Sequence, residues 1–322
     1  MRRATTLSAA LVACVGLVVA GCSSGDYADT QVPAAARTSS APAAAPKPAT
    51  SCGNPVASYA PDGALPSPSA LPPGSTMDRI RQRGRLIAGV SADSLQLGAR
   101  NPVTGAIEGF DIDMLHAVSQ AIFGDPDKIE FRVISTADRL PVLEKGQVDI
   151  VARAMTINCE RWQQIAFSSE YYRAGQKVLV PLGSKATGLE SLGGKRVCAP
   201  TGSTSLDALR RYPSVVPVPA GTHTGCLVLF QQGKADAITG DDTVLAGLAA
   251  QDPYASVVRM KAFTTEPYGL GIPQGERDFV QFVNGVLDKM RTDGRWKASY
   301  DRWLKDLGPA PAPPKAVYGR TP

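Results

Sequence analysis

The chain has 322 residues, 43% of them hydrophobic and 20% charged, which is enough for two globular domains with cores of their own. Its formal charge of +5 is a mild excess. Neither a Lys/Arg run nor a basic stripe spaced by aromatic residues occurs, which argues against a polyanion partner and against nucleic-acid binding.

The first residues read MRRATTLSAALVACVGLVVAGC. Two arginines, an apolar run from Leu7 to Ala20 that is short for a membrane span, and small residues before Cys22 predict a secretory leader over 1–21. Cleavage at this lipobox would leave Cys22 to carry lipid and anchor the domain outside the membrane. The loss of Arg2 and Arg3 takes the formal charge from +5 to +3. Cys14 leaves with the leader, and Cys52, Cys159, Cys198 and Cys226 remain. In an oxidising compartment four cysteines suggest two disulfides, with three connectivities open. No C-x-x-C pair is present and the only histidines are His116 and His223, so no metal or other cofactor is expected. Residues 22–76 are rich in Ala, Pro and Ser without helical or strand periodicity, which predicts a disordered tether. The Pro-rich tail 308–322 reads the same way.

Between these ends short β-rich runs alternate with helical patterns, which predicts an α/β protein with parallel sheets built from βα units. Strands are expected at Leu86–Ser91, Ile129–Ile134, Val148–Met155, Lys177–Leu182, Arg196–Ala199, Val215–Val218, Ala235–Ile238 and Val257–Lys261. The helix after Gly109 carries Phe110, Met114, Leu115, Val118 and Ile122 on one stripe. Its first-turn acids, Asp111 and Asp113, interact favourably with the helix dipole and need no further role. His116 on that helix reads as a surface residue.

In VDIVARAMTINCERW an apolar strand ends at Met155, a hydroxyl follows at Thr156, and Arg161 opens a short helix. A hydroxyl, a turn of free N–H groups and a guanidinium fork suit a carboxylate. Arg153 lies inside the strand, where an unpaired guanidinium is expensive, so it should face a partner acid or a cleft. Beyond Arg196–Ala199, Gly202 permits a tight turn, and Ser203 and Thr204 precede a helix as N-caps or as a second anion contact. Asp241 and Asp242 in ADAITGDD also stand before a helix.

Taken in order, GFDIDMLHAVSQAIFG, VDIVARAMTINCERWQQIAFSSEYY, ADAITGDD and the closing YGLGIPQGERDFVQFVNGVLDKMRTDGRWKASYDRWL resemble bacterial solute-binding protein family 3. Within it they look most like the glutamine/glutamate-binding lipoproteins of actinobacterial ABC importers. The resemblance implies a two-lobed type 2 periplasmic binding protein fold with two hinge crossovers, near 175–183 and 262–268. Lobe one would comprise 77–178 plus 266–307, and lobe two 183–262. Thr156 and Arg161 would clamp the α-carboxylate of an amino acid, Ser203 and Thr204 would meet its far side, and Asp241 would accept its ammonium. Arg139 holds the position that contacts the side chain in acidic-amino-acid binders. With Arg153 it would give three cations against Asp241, which favours glutamate or aspartate over asparagine or glutamine. The lobe assignment pairs Cys198 with Cys226, and Cys52 with Cys159 if the tether folds back on lobe one.

The sequence departs from the family in one respect. The loops SADSLQLGARNP and STADRL carry no aromatic residue to stack on a ligand, and Arg100 is the alternative there. The implied function is ligand delivery by a monomer to an ABC permease, or to a membrane sensor protein that reads closure. An enzyme on this fold, a dehydratase or lyase, would need an acid or base from Glu108, Glu170 or His116, which form no recognisable constellation.

Overall fold

The computed structural model describes residues 51–321, so the expected leader and Cys22 lie outside the described part. Two five-stranded mixed sheets organise it. In space the first runs Ile129–Val133, Leu86–Val90, Ile150–Ala152, Gly271–Pro273, Ile165–Phe167, and the second runs Val216–Ala220, Arg196–Pro200, Ala237–Asp241, Gln176–Pro181, Ala255–Val257. The orders are equivalent. Three parallel strands are followed by one antiparallel strand that comes directly from a crossing between the lobes.

Apolar residues on both faces of each sheet explain the burial. All five residues of Leu86–Val90 are buried, as expected for a parallel strand covered on both sides. Helix Phe110–Phe123 packs on the first sheet and against Arg277–Thr292, whose Phe279, Val280, Val283 and Leu287 are buried. Burying such a side chain contributes roughly 1.5–3 kcal/mol. The second sheet has a separate apolar cluster on each face, one around Val178, Leu189 and Val197 and one around Leu179, Ile238 and Leu245.

The lobes meet at two crossings that pair with each other. Tyr172–Ala174 lies antiparallel to Glu266–Tyr268. Strand Gln176–Pro181 belongs wholly to the second sheet. Residues 176–178, assigned above to lobe one, therefore sit in lobe two, because the crossing is completed by Gly175. The last expected strand is also displaced, to Ala255–Val257.

The tether reading needs correction from residue 51 onward. Aperiodic, proline-rich sequence excludes regular structure but not packing, and here tertiary contacts order it. Ser58 is fully buried, its hydroxyl donating to the Phe167 carbonyl and accepting from Asn284 Nδ2. Trp162 Nε1 donates to the Pro55 carbonyl at 2.8 Å. Ala57–Ser58 pairs in parallel with Val317–Tyr318, and the Arg320 guanidinium lies 3.7 Å over the Trp162 ring, so the tail is ordered as well.

Cys52 is bonded to Cys159 and Cys198 to Cys226, the pairing expected above. The bridges span 107 and 28 residues. Chain entropy gives the longer loop about 4.8 kcal/mol and the shorter about 3.6 kcal/mol of stabilisation. Guanidinium unfolding should show a larger loss for Cys52→Ser with Cys159→Ser than for the Cys198, Cys226 double variant. The reverse ranking would contradict this reading.

Candidate ligand-binding site

Past Ala152 the first-lobe strand bends through Ala154, whose φ of 43° is unusual for a residue with a Cβ. Asp111 holds the bend. Its Oδ2 accepts the Ala154 N–H at 2.8 Å and its Oδ1 accepts the Tyr171 hydroxyl at 2.7 Å. Burial pushes the carboxyl up to about 6 although both hydrogen bonds favour the ionised form. The helix-dipole account of Asp111 was therefore incomplete. Asp113 meets Ser299 and Trp303 instead. Beyond the bend Thr156 bridges to Tyr268 and Ile157 N–H donates to the Pro267 carbonyl, which ties the site to the returning crossing. Asn158 then caps the short helix Cys159–Trp162 that carries Arg161.

Three guanidiniums converge here, all buried. Arg139 donates to the carbonyls of Thr136, Arg153, Ala154 and Gly202 at 2.9–3.2 Å. Among the described residues no carboxylate lies within ion-pairing distance of it. Burial, followed by the charges of Arg161 and Arg153, holds its pKa well below the usual arginine range. Arg153 donates to the Ile134 carbonyl and the Thr136 hydroxyl, and its Nη2 stands 3.9 Å from Asp93. Arg161 donates to the Thr156 carbonyl at 2.6 Å and to the Gly202 carbonyl at 3.3 Å.

Lobe two closes on this cluster. Gly202, at φ +74°, turns its carbonyl toward Arg139 and Arg161 across the cleft. Thr204 Oγ1 comes within 3.4 Å of Thr156 Oγ1. Ser203 plays the capping part, its hydroxyl accepting from Leu206 N–H and donating to the Pro200 carbonyl. Asp241 Oδ2 accepts the Tyr268 hydroxyl at 2.7 Å, while its Oδ1 is buried without a hydrogen-bond partner. Burial and then the Glu266 charge raise this carboxyl to about 7.

Arg139, Arg153, Thr156, Arg161, Thr204 and Asp241 thus meet where the lobes meet, whereas Ser203 lies at the edge with its hydroxyl engaged. Three further groups were not singled out from sequence. Glu266 is buried between Thr156 and Thr204 and accepts both hydroxyls. Tyr268, fully buried in the hinge, packs with Tyr171 and Tyr172 and donates to Asp241. His223 is partly exposed, yet its Nε2 is sealed and unpartnered beside Gly240. Burial and the charges of Arg153 and Arg139 keep that imidazole neutral, with a pKa near 3. The count of three cations against one acid also changes, since Glu266 joins Asp241 and Asp93 approaches Arg153. The rival acid–base candidates are occupied elsewhere: Glu170 pairs with Arg173, Glu108 accepts from Asn101, and His116 bonds the Pro126 carbonyl.

A Cβ on Gly202 would lie 2.9 Å from Ala137 Cα in the opposite lobe and would also strain the positive φ. Gly202→Ala should therefore leave a folded protein that cannot close fully and that binds ligand at least tenfold more weakly. Calorimetry on the folded variant checks this, and unchanged affinity would show that the closure described is not the binding form.

Comparison with known proteins agrees with this architecture. The glutamine-binding protein GlnH of a Bacillus subtilis ABC transporter is 34% identical over 233 residues, covering 72% of this chain and 85% of its own. The glutamate-binding protein GluB of Corynebacterium efficiens is 30% identical over 237 residues, covering 70% and 79%. The crystal structure of a cysteine-binding protein from Campylobacter jejuni superposes with a TM-score of 0.68 at 25% identity, covering 72% of this chain and 94% of that one. The profile of one family matches residues 86–306, and the chain accordingly belongs to the bacterial extracellular solute-binding proteins, family 3.

Proposed function

We propose that the protein is an extracytoplasmic receptor for a polar α-amino acid, preferably glutamate or aspartate, that delivers its ligand to an ABC importer. The observation that carries this reading is the buried cluster of Thr156, Arg161 and Asp241, with the Asp241 Oδ1 left without a partner. A guanidinium and a hydroxyl suit the α-carboxylate, and an unpartnered buried acid oxygen suits the ammonium. Relatives named for glutamine, glutamate and aspartate binding support the same ligand class. Thr204 meets the ligand from lobe two. Cys22 carries the lipid anchor.

The preference for an acidic side chain rests on Arg139. Its acceptors are all main-chain carbonyls, and one of them, that of Gly202, belongs to the opposite lobe. A buried cation without a counter-ion gains more from a ligand carboxylate than from an amide. Arg153 stands close enough to add its charge to the same site. Arg139→Gln should weaken glutamate and aspartate by about 1–3 kcal/mol and glutamine by much less. Equal losses for acid and amide, measured by calorimetry, would remove the preference and favour glutamine.

Binding should also depend on pH through Asp241. Burial, and then the Glu266 charge, raise its carboxyl to about 7, and a ligand ammonium would stabilise the ionised form. Below pH 7 the ligand must therefore displace a proton. Affinity should be level above neutrality and fall about tenfold per unit of pH below it. Titrations in buffers of different ionisation enthalpy should report nearly one proton released at pH 6, and no release there would contradict the role given to Asp241.

A further inference from the structure

The family profile covers residues 86–306, and the described residues outside it are 51–85 and 307–321. Both segments converge on one short helix. Cys52 is joined by its disulfide to Cys159, the first residue of helix Cys159–Trp162. Trp162, the last, donates its Nε1 hydrogen to the Pro55 carbonyl, meets the Tyr59 ring edge-on at a centroid distance of 6.2 Å, and lies under the Arg320 guanidinium. Arg320 closes the arrangement, its Nε donating to the Ala57 carbonyl at 2.8 Å and its Nη2 to the Asn54 carbonyl at 3.3 Å. The two terminal segments thus grip each other and the helix together.

Arg161 lies in the same turn. Cys159 and Trp162 stand three residues apart and share one face of the helix, whereas Arg161 lies about 200° round from Cys159. It reaches the Gly202 carbonyl of lobe two from there. A single helical turn does not hold its own orientation, since isolated helices shorter than about 12 residues are marginal in water. Within lobe one Arg161 is fixed by the Asn158 side chain, which accepts its N–H at 2.9 Å, and by the Thr156 carbonyl, which accepts from Nη1 at 2.6 Å. Both acceptors belong to the same local stretch of chain. The disulfide and the Pro55 bond differ, because each fixes the turn to chain 107 residues away. Gln274 adds a longer bond, 3.3 Å, to the Trp162 carbonyl.

We infer that the two terminal segments are a positioning clasp for the carboxylate anchor: Cys52 and Arg320, acting through Cys159 and Trp162, set the direction of the Arg161 guanidinium without touching ligand themselves. The inference rests on the reading of Arg161 as the α-carboxylate contact. A fork of N–H donors matches a carboxylate only over a narrow range of angles, so a tilt of the turn weakens the pair even where both partners are present. The consequence is specific. Every α-amino acid offers the same carboxylate, so loosening the clasp should cost all ligands alike, unlike a change at Arg139, which should separate acid from amide.

Calorimetry with L-glutamate and L-glutamine on the full-length protein tests this in Arg320→Ala and in the double variant Cys52→Ser with Cys159→Ser. Arg320→Ala keeps the disulfide and serves if the double variant does not fold. Each should bind both ligands about tenfold more weakly, the loss expected when roughly half of a charge-assisted contact is forfeited. Met290→Ala, which opens a cavity in the lobe-one core beside Asp113 and His116, is the stability control and should bind as the unaltered protein does. Unchanged affinity in the folded clasp variants, a loss confined to glutamate, or an equal loss in Met290→Ala would overturn the clasp. Amide hydrogen exchange without ligand gives a second readout: Arg161 and Trp162 should exchange about tenfold faster in the clasp variants, measured against strand Leu86–Val90. If no amino acid binds even the unaltered protein, the ligand reading fails while the exchange rates still decide whether the clasp holds the turn, and unchanged rates would overturn it.

Discussion

A guanidinium taken out of water brings five N–H donors and a charge, and an unmet charge in a protein interior costs several kcal/mol. Three such groups, Arg139, Arg153 and Arg161, are buried where the lobes meet, and much of the surrounding structure supplies their acceptors. The left-handed bend at Ala154 aims two carbonyls at Arg139, the glycine turn at 202 sends a third across the cleft, and Glu266 places an anion near Arg161. Closure is therefore an electrostatic event. Lobe one alone leaves Arg139 and Arg161 short of the Gly202 carbonyl, which lobe two supplies on closing.

That constraint explains why the hinge is more than a connector. Its two strands pair with each other and carry Tyr172, Glu266 and Tyr268 into the site. Tyr268 donates to Asp241 and packs, tilted, against Tyr171, whose hydroxyl fixes Asp111. A movement of lobe two relative to lobe one is thus felt by Asp241 from one side of Tyr268 and by the Ala154 bend from the other. Small displacements at such a junction select between open and closed packings rather than deform either.

Much of this was legible in the sequence, for a local reason. Thr156 and Arg161 occupy one strand, turn and helix, so spacing alone brings them together, and the alternation of strands and helices gave the α/β class. Gly202 announced itself by turn chemistry, and Asp241 through the resemblance of ADAITGDD to the family. The groups that escaped notice act over long separations. Glu266 lies 110 residues from Thr156, and Asp111 lies 43 from Ala154. Asp111 also carried a sufficient local explanation as a first-turn acid, which concealed its contact. Residues 51–76 were misread because proline-rich sequence reports the absence of periodicity, and periodicity is silent about a segment held by a disulfide, a tryptophan and a buried asparagine.

The claim on which the account depends is that the cluster recognises both charged ends of an α-amino acid at once. The direct test is a calorimetric comparison of L-glutamate with glutarate, which keeps both carboxylates and lacks only the ammonium. The account predicts saturable one-to-one binding of glutamate and a loss of at least a hundredfold for glutarate, because the Asp241 Oδ1 would stay buried and unpartnered. Equal affinity for the two, or no binding of any α-amino acid, would contradict it.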